Sequence, residues 1–268
     1  MQMKVTPYKT HKVSQNDTSL LALLDRYLPD DVPERSVIAV SSKIVAICEG
    51  RVVKIKGTAA SAEGFGEPKE EELHRKEKDV LISREAEWYL PSSENPYGVS
   101  ITIKNNVIIA SAGIDESNAD GKYVLWPKNP QKSANTIRVH IVNRLSLREV
   151  GVIITDSRLS PLRWGVTGVG IAHSGFRAVN DLIGKPDIFG RPLHVTKVNV
   201  LDGLAASAVF VMGESNEQTP IAVLSDIPHI VFQDHNPTEK EVAMLKISME
   251  EDIFSPILKK APWKKGRG

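Results

Sequence analysis

The sequence of 268 residues predicts an α+β or mixed α/β fold. Two observations indicate this class: the chain contains short apolar runs of strand length, and it contains segments whose apolar residues recur at helical spacing. These segments follow one another without a regular βαβ rhythm, which argues against a doubly wound parallel sheet. The length allows one large domain or two small ones, and the sequence shows no internal repeat and no long flexible linker.

The first two predicted elements are a helix and a strand. Residues 18–28 (TSLLALLDRYL) carry apolar residues at helical spacing, and Asn16 or Asp17 would cap this helix at its N-terminus. Residues 36–40 are a short apolar run that predicts a strand, and polar residues follow it directly.

Three elements are predicted in the middle of the chain. Residues 62–87 are rich in charge and helical in pattern, which predicts an exposed helix pair or a mobile lid. In 99–111 (VSITIKNNVIIAS) apolar residues alternate around Asn105-Asn106, which predicts a hairpin. Ser133 is the expected N-cap of a helix that runs to residue 145.

The second half contains the remaining strands and a helix of small residues. We predict strands over 151–154, 194–201 and 221–225, the last being the final strand, and a helix over 203–212 that packs against a sheet. The glycine-rich stretch 165–175 (GVTGVGIAHSG) lacks the strand, GxGxxG and helix order of a dinucleotide loop, so we do not assign it that role. A Walker A motif is absent as well.

Composition excludes several classes of function. A net charge of +1 gives no electrostatic reason to expect nucleic acid or an anionic membrane as partner. No apolar run reaches the length of about 18 residues that a transmembrane helix needs, and the N-terminus lacks the apolar core of a signal peptide. The single cysteine, Cys48, excludes a disulfide within the chain, which suits a cytoplasmic location.

Three acids lie just past apolar elements, and each has a short polar companion. They are Asp115 with Asn118, Asp156 with Ser157, and Glu214 with Ser215. Carboxylates without cysteine or paired histidine are hard oxygen ligands, which suit Mg²⁺ or Mn²⁺. Two such ions bridging a triphosphate need about this set of ligands.

Other reactive side chains are ambiguous on sequence alone. His173 and Cys48 are interpreted as core residues rather than catalytic ones. Arg163 and Arg191 suit the recognition of phosphate or carboxylate, but salt bridges with local acids explain them equally well. Tryptophans 126 and 164 are interpreted as core or interface anchors. From the residues alone we therefore predict an enzyme that handles metal and phosphate.

Four blocks of the chain resemble the gamma-glutamyl ligases of the deazaflavin coenzyme F(420). They are SSKIVAICEGRVV (41–53), SAGIDESNADGKYVLWPKNPQKSA (111–134), GVIITDS (151–157) and the long block from GVTGVGIAHSG to FVMGE (165–214). The resemblance covers roughly residues 1–225, and it leaves 226–268 as a C-terminal extension with a basic tail.

This resemblance implies a two-part mixed α/β fold, an intertwined homodimer and a reaction. The family adds L-glutamate to F(420)-0 with GTP, two Mg²⁺ or Mn²⁺ ions and stimulation by potassium. A carboxylate is a poor electrophile, so phosphoryl transfer from GTP would first convert it into an acyl phosphate that the amine of glutamate attacks. ATP in place of GTP stays open.

The resemblance also implies roles for individual residues. As implied metal ligands it gives Asp115, Asp156, Ser157 and Glu214, with Asp156 also catalytic. As implied nucleotide contacts it gives Ser42, Lys43, Asn118 and the loop that begins Met212-Gly213 and contains Ser215. Arg191 or Arg163 is our own assignment for the carboxylate of glutamate or of the acceptor.

The chain departs from the family pattern around the nucleotide and the acceptor. Ile47 stands where the family usually has a lysine, and Lys12 in the N-terminal loop would compensate for it. Leu159-Ser160-Pro161 replaces a Gly-Arg-Pro segment. These departures keep two alternatives open: the same chemistry on a folate, and a nucleotide-sensing protein without turnover.

Overall fold

The computed structural model describes residues 2–55 and 68–268. Its strands are β1 (Lys4–Tyr8), β2 (Ser36–Ser41), β3 (Val52–Lys54), β4 (Trp88–Leu90), β5 (Ile101–Lys104), β6 (Val107–Ala110), β7 (Lys122–Val124), β8 (Val150–Leu159), β9 (Val166–Ser174), β10 (Val179–Asp181), β11 (Lys197–Asn199), β12 (Ile221–Ser225) and β13 (Lys264–Lys265). Its α-helices are α1 (Leu20–Tyr27), α2 (Ser42–Cys48), α3 (Pro68–Glu85), α4 (Pro130–Leu145), α5 (Val200–Met212), α6 (Glu239–Ala243) and α7 (Ser255–Leu258). The predicted mixture of helices and strands is confirmed.

The main sheet has five strands in the order β1-β12-β2-β8-β9. Only β2 and β8 run parallel within it, with Ser36 opposite Val150 and Ser41 opposite Thr155. The other neighbours pair antiparallel. This is a mixed sheet without βαβ repetition, as the sequence pattern predicted.

Both faces of the main sheet are buried, because its central strands are apolar at almost every position. Helices α1 and α4 cover one face, against Ile38, Val40, Val152 and Ile154. Helix α5 covers the other face, against Val37, Ala39 and Ile153. Alternate residues of a strand point to opposite faces, so a continuous apolar run is what a sheet covered on both sides requires.

Helix α5 lies unusually close to β9, because glycines face it. A Cβ added to Gly168 would lie 2.8 Å from Cβ of Val209 and closer still to the carbonyl oxygen of Ala205. A Cβ on Gly170 would collide with the side chain of Leu201. The glycine-rich stretch is therefore a strand that admits a helix at short distance.

A second sheet, in the order β13-β4-β5-β6, lies beside the main one and is antiparallel throughout. The predicted hairpin over 99–111 is confirmed as β5 and β6, with Asn105 at φ 50° and Asn106 at φ 64° in its turn. Two residues with positive φ are what a two-residue hairpin turn demands. Helix α3 packs on this region through Ile82, beside a two-stranded ribbon of β3 and β7.

Several predicted helix boundaries were wrong. Ser19, not Asn16 or Asp17, caps α1 by accepting a hydrogen bond from the N–H of Ala22. Asn129, not Ser133, caps α4, and Pro130 occupies its first turn. In the charged segment 62–87, which was predicted as a helix pair or a lid, the described residues 68–85 form a single helix, α3, and residues 62–67 lie outside the described residues.

Predicted strand boundaries also need correction. The strand placed at 151–154 is β8, which runs from 150 to 159. In the segment 194–201 only β11 is a strand, since α5 already begins at Val200. The strand at 221–225 is confirmed as β12 but is not the last, because β13 pairs with β4 near the C-terminus. The sequence analysis missed several elements, among them β1, α2 and the long strand β9.

The segment 226–268 packs on both sheets. Ile230 and Phe232 join the core beneath α5, and Arg138 of α4 donates hydrogen bonds to the carbonyl of Gln233 and to Oδ1 of Asn236. In the part of the chain that the structure describes, no helix has the length and apolar character needed to cross a bilayer.

Candidate active site

A cleft of about 460 Å³ lies where the N-terminal segment, β8, the end of α5 and the 113–118 loop meet. Every residue that was predicted to contact nucleotide or metal lines it. These residues are Lys12, Ser42, Lys43, Asp115, Asn118, Asp156, Ser157, Met212, Gly213, Glu214 and Ser215. Arg163 and Arg191 do not line it; both are exposed.

The parallel pair of β2 and β8 places two polar segments side by side. Ser41 is opposite Thr155, so Ser42 and Lys43, which follow β2 in α2, lie next to Asp156. The carboxyl ends of parallel strands meet at one edge of a sheet, which is a common position for ligands. The topology thus explains why polar residues distant in sequence share a cleft.

Strand β8 does not end at the predicted acid. It continues through Asp156 to Leu159, because β9 pairs with it antiparallel over this whole length. The register changes by one residue within this pair: Ile154 is opposite Ala172, but Thr155 is opposite Gly170. Such an irregularity bends a strand locally and redirects side chains, here where β8 enters the cleft.

Asp156 is held by three donors at the base of the cleft. Its Oδ2 accepts a hydrogen bond from the indole Nε1 of Trp126, and its Oδ1 accepts one from the N–H of Ser157 at 2.8 Å. The Ser42 hydroxyl is a third donor. Burial and, to a smaller extent, the nearby charge of Asp115 raise the pKa of Asp156 to about 6, although the three donors oppose this shift. A bound cation would oppose the same shift, because it favours the ionised form of a carboxylate.

Asp115 already has a cation beside it. Nζ of Lys43 lies 2.7 Å from its Oδ2, and Ser117 donates to it from both its N–H and its hydroxyl, at 2.7 and 3.0 Å. Burial acts to raise the pKa of Asp115, but Lys43 and Ser117 outweigh burial and hold that pKa below its ordinary value.

Two hydrogen bonds tie the loop after α5 to the rest of the site. The Ser157 hydroxyl donates to Oε1 of Glu214 at 2.5 Å. Nδ2 of Asn118 donates to the carbonyl of Ser215 at 2.8 Å. The cleft therefore joins side chains from the main sheet, from α5 and from the loop that follows the second sheet.

The donors in the cleft fit divalent cations that also bind phosphate oxygens. Within residues 2–55 and 68–268, no group of three histidine, cysteine or acidic side chains is close enough to hold one ion. Two smaller groups of oxygen ligands are present: Asp115 with Asp156, and Ser157 with Glu214. Two ligands are enough for such a site, because Mg²⁺ is usually bound by one or two carboxylates together with substrate phosphates. Thr155 supplies a further oxygen, since its Oγ1 is buried without a hydrogen-bond partner among the described residues.

Sequence reasoning missed Thr155, Ser117 and the contact of Trp126 with Asp156. Thr155 belongs to the same polar triplet as Asp156 and was detectable there. Nothing in the sequence pattern pairs Trp126 with an acid 30 positions away.

The predicted buried position of His173 agrees with the structure, whereas Cys48 is only partly buried and belongs to none of the core clusters that the described residues form. His173 is 2% exposed, and burial lowers its pKa to about 4. Cys48 is partly buried, and burial together with the charges of Asp17 and Glu49 raises its pKa to about 11. Neither side chain lines the cleft.

Comparison with known proteins agrees with the family inferred from the sequence blocks. The model of the family described as F(420)-0:gamma-glutamyl ligase matches residues 9–226. A coenzyme F(420):L-glutamate ligase of Methanococcus maripaludis is 32% identical over 255 residues, which are 95% of this chain and 98% of the relative. Ligases of the same name from Methanopyrus kandleri and Methanocaldococcus jannaschii are 32% and 33% identical, over 84% and 72% of this chain and 87% and 76% of the relatives. The chain belongs to the F(420)-0:gamma-glutamyl ligase family, whose members are amide-forming ligases.

Proposed function

We propose that this chain uses GTP to form an amide between L-glutamate and a carboxylate of F(420)-0. Membership of the family and the names of its relatives support the ligase reaction. The observation that carries the proposal is the cleft itself, which gathers Asp115, Asp156 and Glu214 around one cavity with the ammonium of Lys43 among them. Clustered carboxylates beside a lysine suit a metal-bound triphosphate.

The reaction has two parts. An oxygen of the acceptor carboxylate attacks the γ-phosphorus of GTP, the bond to the β-phosphate oxygen breaks, and GDP leaves. The free amine of glutamate then attacks the acyl carbon of the resulting acyl phosphate, inorganic phosphate leaves, and the nitrogen loses a proton as the amide forms. Each step balances without an oxidant or a reductant.

The residues of the cleft divide this work by their chemistry. Lys43 and Lys12 would supply positive charge toward phosphate oxygens, and Asn118 and the loop from Met212 to Ile221 would lie along the nucleotide. Asp115 with Asp156, and Ser157 with Glu214, would hold Mg²⁺ or Mn²⁺, which when bound neutralises charge on the transferred group. Stimulation by potassium is part of the same proposal.

A homodimer is also part of the proposal, and exposed apolar side chains support it. Large apolar residues project into solvent from the 159–166 and 183–198 segments and from α5: Leu162, Trp164, Ile188, Phe189, Val195 and Phe210 are each more than four-fifths exposed. A lone chain rarely leaves so many uncovered. Arg163 and Arg191 belong to these segments, so their proposed role in binding a carboxylate depends on the dimer. Analytical ultracentrifugation measures the mass directly.

The ligase proposal is tested by product formation. The protein is incubated with GTP, L-glutamate, F(420)-0, potassium and either Mg²⁺ or Mn²⁺. The amount of GDP released is measured, and the masses of the products are determined by mass spectrometry. We expect a gain of one glutamate unit, its loss in Asp156→Asn, and no change in Asp31→Asn, whose carboxylate is exposed outside the cleft. An active, folded Asp156→Asn variant would contradict the proposal.

The same assay tests two alternative functions. Tetrahydrofolate as acceptor tests the same chemistry on a folate. A nucleotide-sensing protein is favoured by Ile47, an apolar residue that lines the cleft where the family usually carries a lysine. Metal-dependent GTP binding without GDP release, with either acceptor, would support the sensor; GDP release would exclude it.

A further inference from the structure

Trp126 contacts Asp156 in a way that the ligase mechanism does not require. Its side chain is 1% exposed, yet its single polar atom, Nε1, donates a hydrogen bond to Oδ2 of Asp156. The other oxygen of that carboxylate, Oδ1, accepts from the N–H of Ser157. Both carboxylate oxygens are therefore fixed in direction, one by a side chain from a different part of the chain.

Trp126 is held at both its backbone and its ring. Nε of Arg51 donates to the carbonyl of Trp126 at 3.0 Å, and the ammonium of Lys104 lies 5.5 Å from the ring centre. Glu85 of α3 holds both cations, at 2.8 Å from Arg51 and 2.7 Å from Lys104. A cation over an indole face is attracted by the ring quadrupole, and here the cation is itself ion-paired.

The ring is also packed against the loop that carries Asp115. A Cβ added to Gly113 would lie 2.5 Å from Cε2 of Trp126 and closer still to its Nε1. The indole thus touches the backbone two positions before Asp115 while it hydrogen-bonds Asp156. It connects the two carboxylates that approach each other across the cleft.

We propose that Trp126 is a positioning residue: its indole N–H and ring set the orientation of the Asp156 carboxylate, relative to Asp115, for a divalent cation. The inference rests on the proposed metal site. A carboxylate that rotates freely loses conformational entropy when it binds an ion. Removing a hydrogen-bond donor that orients a metal ligand therefore typically weakens metal affinity by about 10- to 100-fold. A purely structural Trp126 would fill the core without any effect of its N–H on the ion.

The test separates the N–H from the bulk of the ring. Mn²⁺ is titrated into the GDP-saturated chain, and free Mn²⁺ is counted by electron paramagnetic resonance against a protein-free GDP blank. We expect Trp126→Phe to weaken Mn²⁺ binding by about 10- to 100-fold. The matched control is Trp88→Phe, which removes another indole that lies beneath a lysine, Lys265 at 6.0 Å, but is 37% exposed and far less buried than Trp126. It should leave the affinity unchanged.

The outcomes distinguish this inference from the function it rests on. Absence of Mn²⁺ binding by the unchanged chain overturns the metal site, and the inference with it. Equal affinity in the unchanged chain and in folded Trp126→Phe overturns only the role of Trp126.

If Trp126→Phe does not fold, the unchanged chain still provides a test. With ¹⁵N-labelled tryptophan, the indole signals are assigned by substituting Trp88, Trp164 and Trp263 with phenylalanine one at a time. We expect the addition of Mg²⁺ with GDP to change the chemical shift of the Nε1–H of Trp126. An ion bound to the Asp156 carboxylate withdraws electron density from Oδ2, the oxygen that accepts this hydrogen bond. A signal that does not move at saturating Mg²⁺ overturns the proposal.

Discussion

The contact between α5 and β9 offers a direct test of how packing controls the cleft. Replacing Gly168 with alanine places a methyl group 2.8 Å from Cβ of Val209, and closer still to the carbonyl of Ala205. Carbon atoms in ordinary contact are about 3.5–4.0 Å apart. The helix must therefore move outward by about 1 Å, since the nearest atoms belong to its own backbone.

The magnitude follows from known costs of overpacking. An extra methyl group in a packed core lowers the free energy of unfolding by about 1–3 kcal/mol. Replacing glycine with alanine also reduces the conformational entropy of the unfolded chain, which raises the free energy of unfolding by about 0.4–1 kcal/mol. A net decrease of about 1–2 kcal/mol in the free energy of unfolding lowers Tm by about 2–8 °C in a chain of this size. Because the displaced helix leads into Glu214, ligation should fall by about 10- to 100-fold.

The control is a second glycine-to-alanine change in the same region. A methyl group added to Gly203 of α5 would have nothing within 4 Å of it, so Gly203→Ala should stabilise the helix by about 0.5–1 kcal/mol. Differential scanning calorimetry measures both variants, and GDP release measures activity. If Gly168→Ala melts at or above the temperature of the unchanged chain, or if both variants shift alike, the argument from close packing is refuted.

Three further predictions concern charged and nucleophilic side chains. Lys43→Met removes the ammonium 2.7 Å from Asp115, so KM for GTP should rise by about tenfold or more while Mn²⁺ binds the freed carboxylate more tightly; steady-state kinetics and Mn²⁺ titration measure the two effects. Lys78→Met breaks a 2.6 Å ion pair with the loop that follows Asp115, and should reduce kcat several-fold, whereas Lys76→Met, an exposed pair on the same helix, should leave the rate unchanged. Burial raises the pKa of Cys48 to about 11, so its rate with Ellman's reagent should still be climbing at pH 10; a plateau near pH 9 would contradict this.

The central strands and the hairpin were predictable because burial on both faces and a two-residue turn leave strong patterns. Helix caps were not, since several capping residues lie close together in the sequence. Asp17 is a good cap by type, but its carboxylate is bound by His11 at 2.8 Å and by the N–H of Ser14 at 2.8 Å. That leaves Ser19 to begin α1. Which residue caps a helix depends on competition between nearby hydrogen-bond partners, and the periodicity of the sequence carries no information about that competition.

The acids of the cleft were predictable from their position beside apolar segments, but the geometry around them was not. The sequence suggested that β8 ends where polar residues begin. The strand continues because β9 supplies a partner for Asp156 and for each residue through Leu159. Pairing between strands, rather than the polarity of the residues, determined where this strand ends.

The cleft is shared between two sheets, and this explains why distant packing should matter to its chemistry. Asp156 belongs to the main sheet, Asp115 follows the second sheet, and Glu214 follows α5. Trp126 lies between the first two, and the Ser157 hydroxyl bonds the third. The distances between these carboxylates are therefore set by how the two sheets and α5 pack, so a methyl group under α5 or a lost indole N–H should alter the site without touching any substrate.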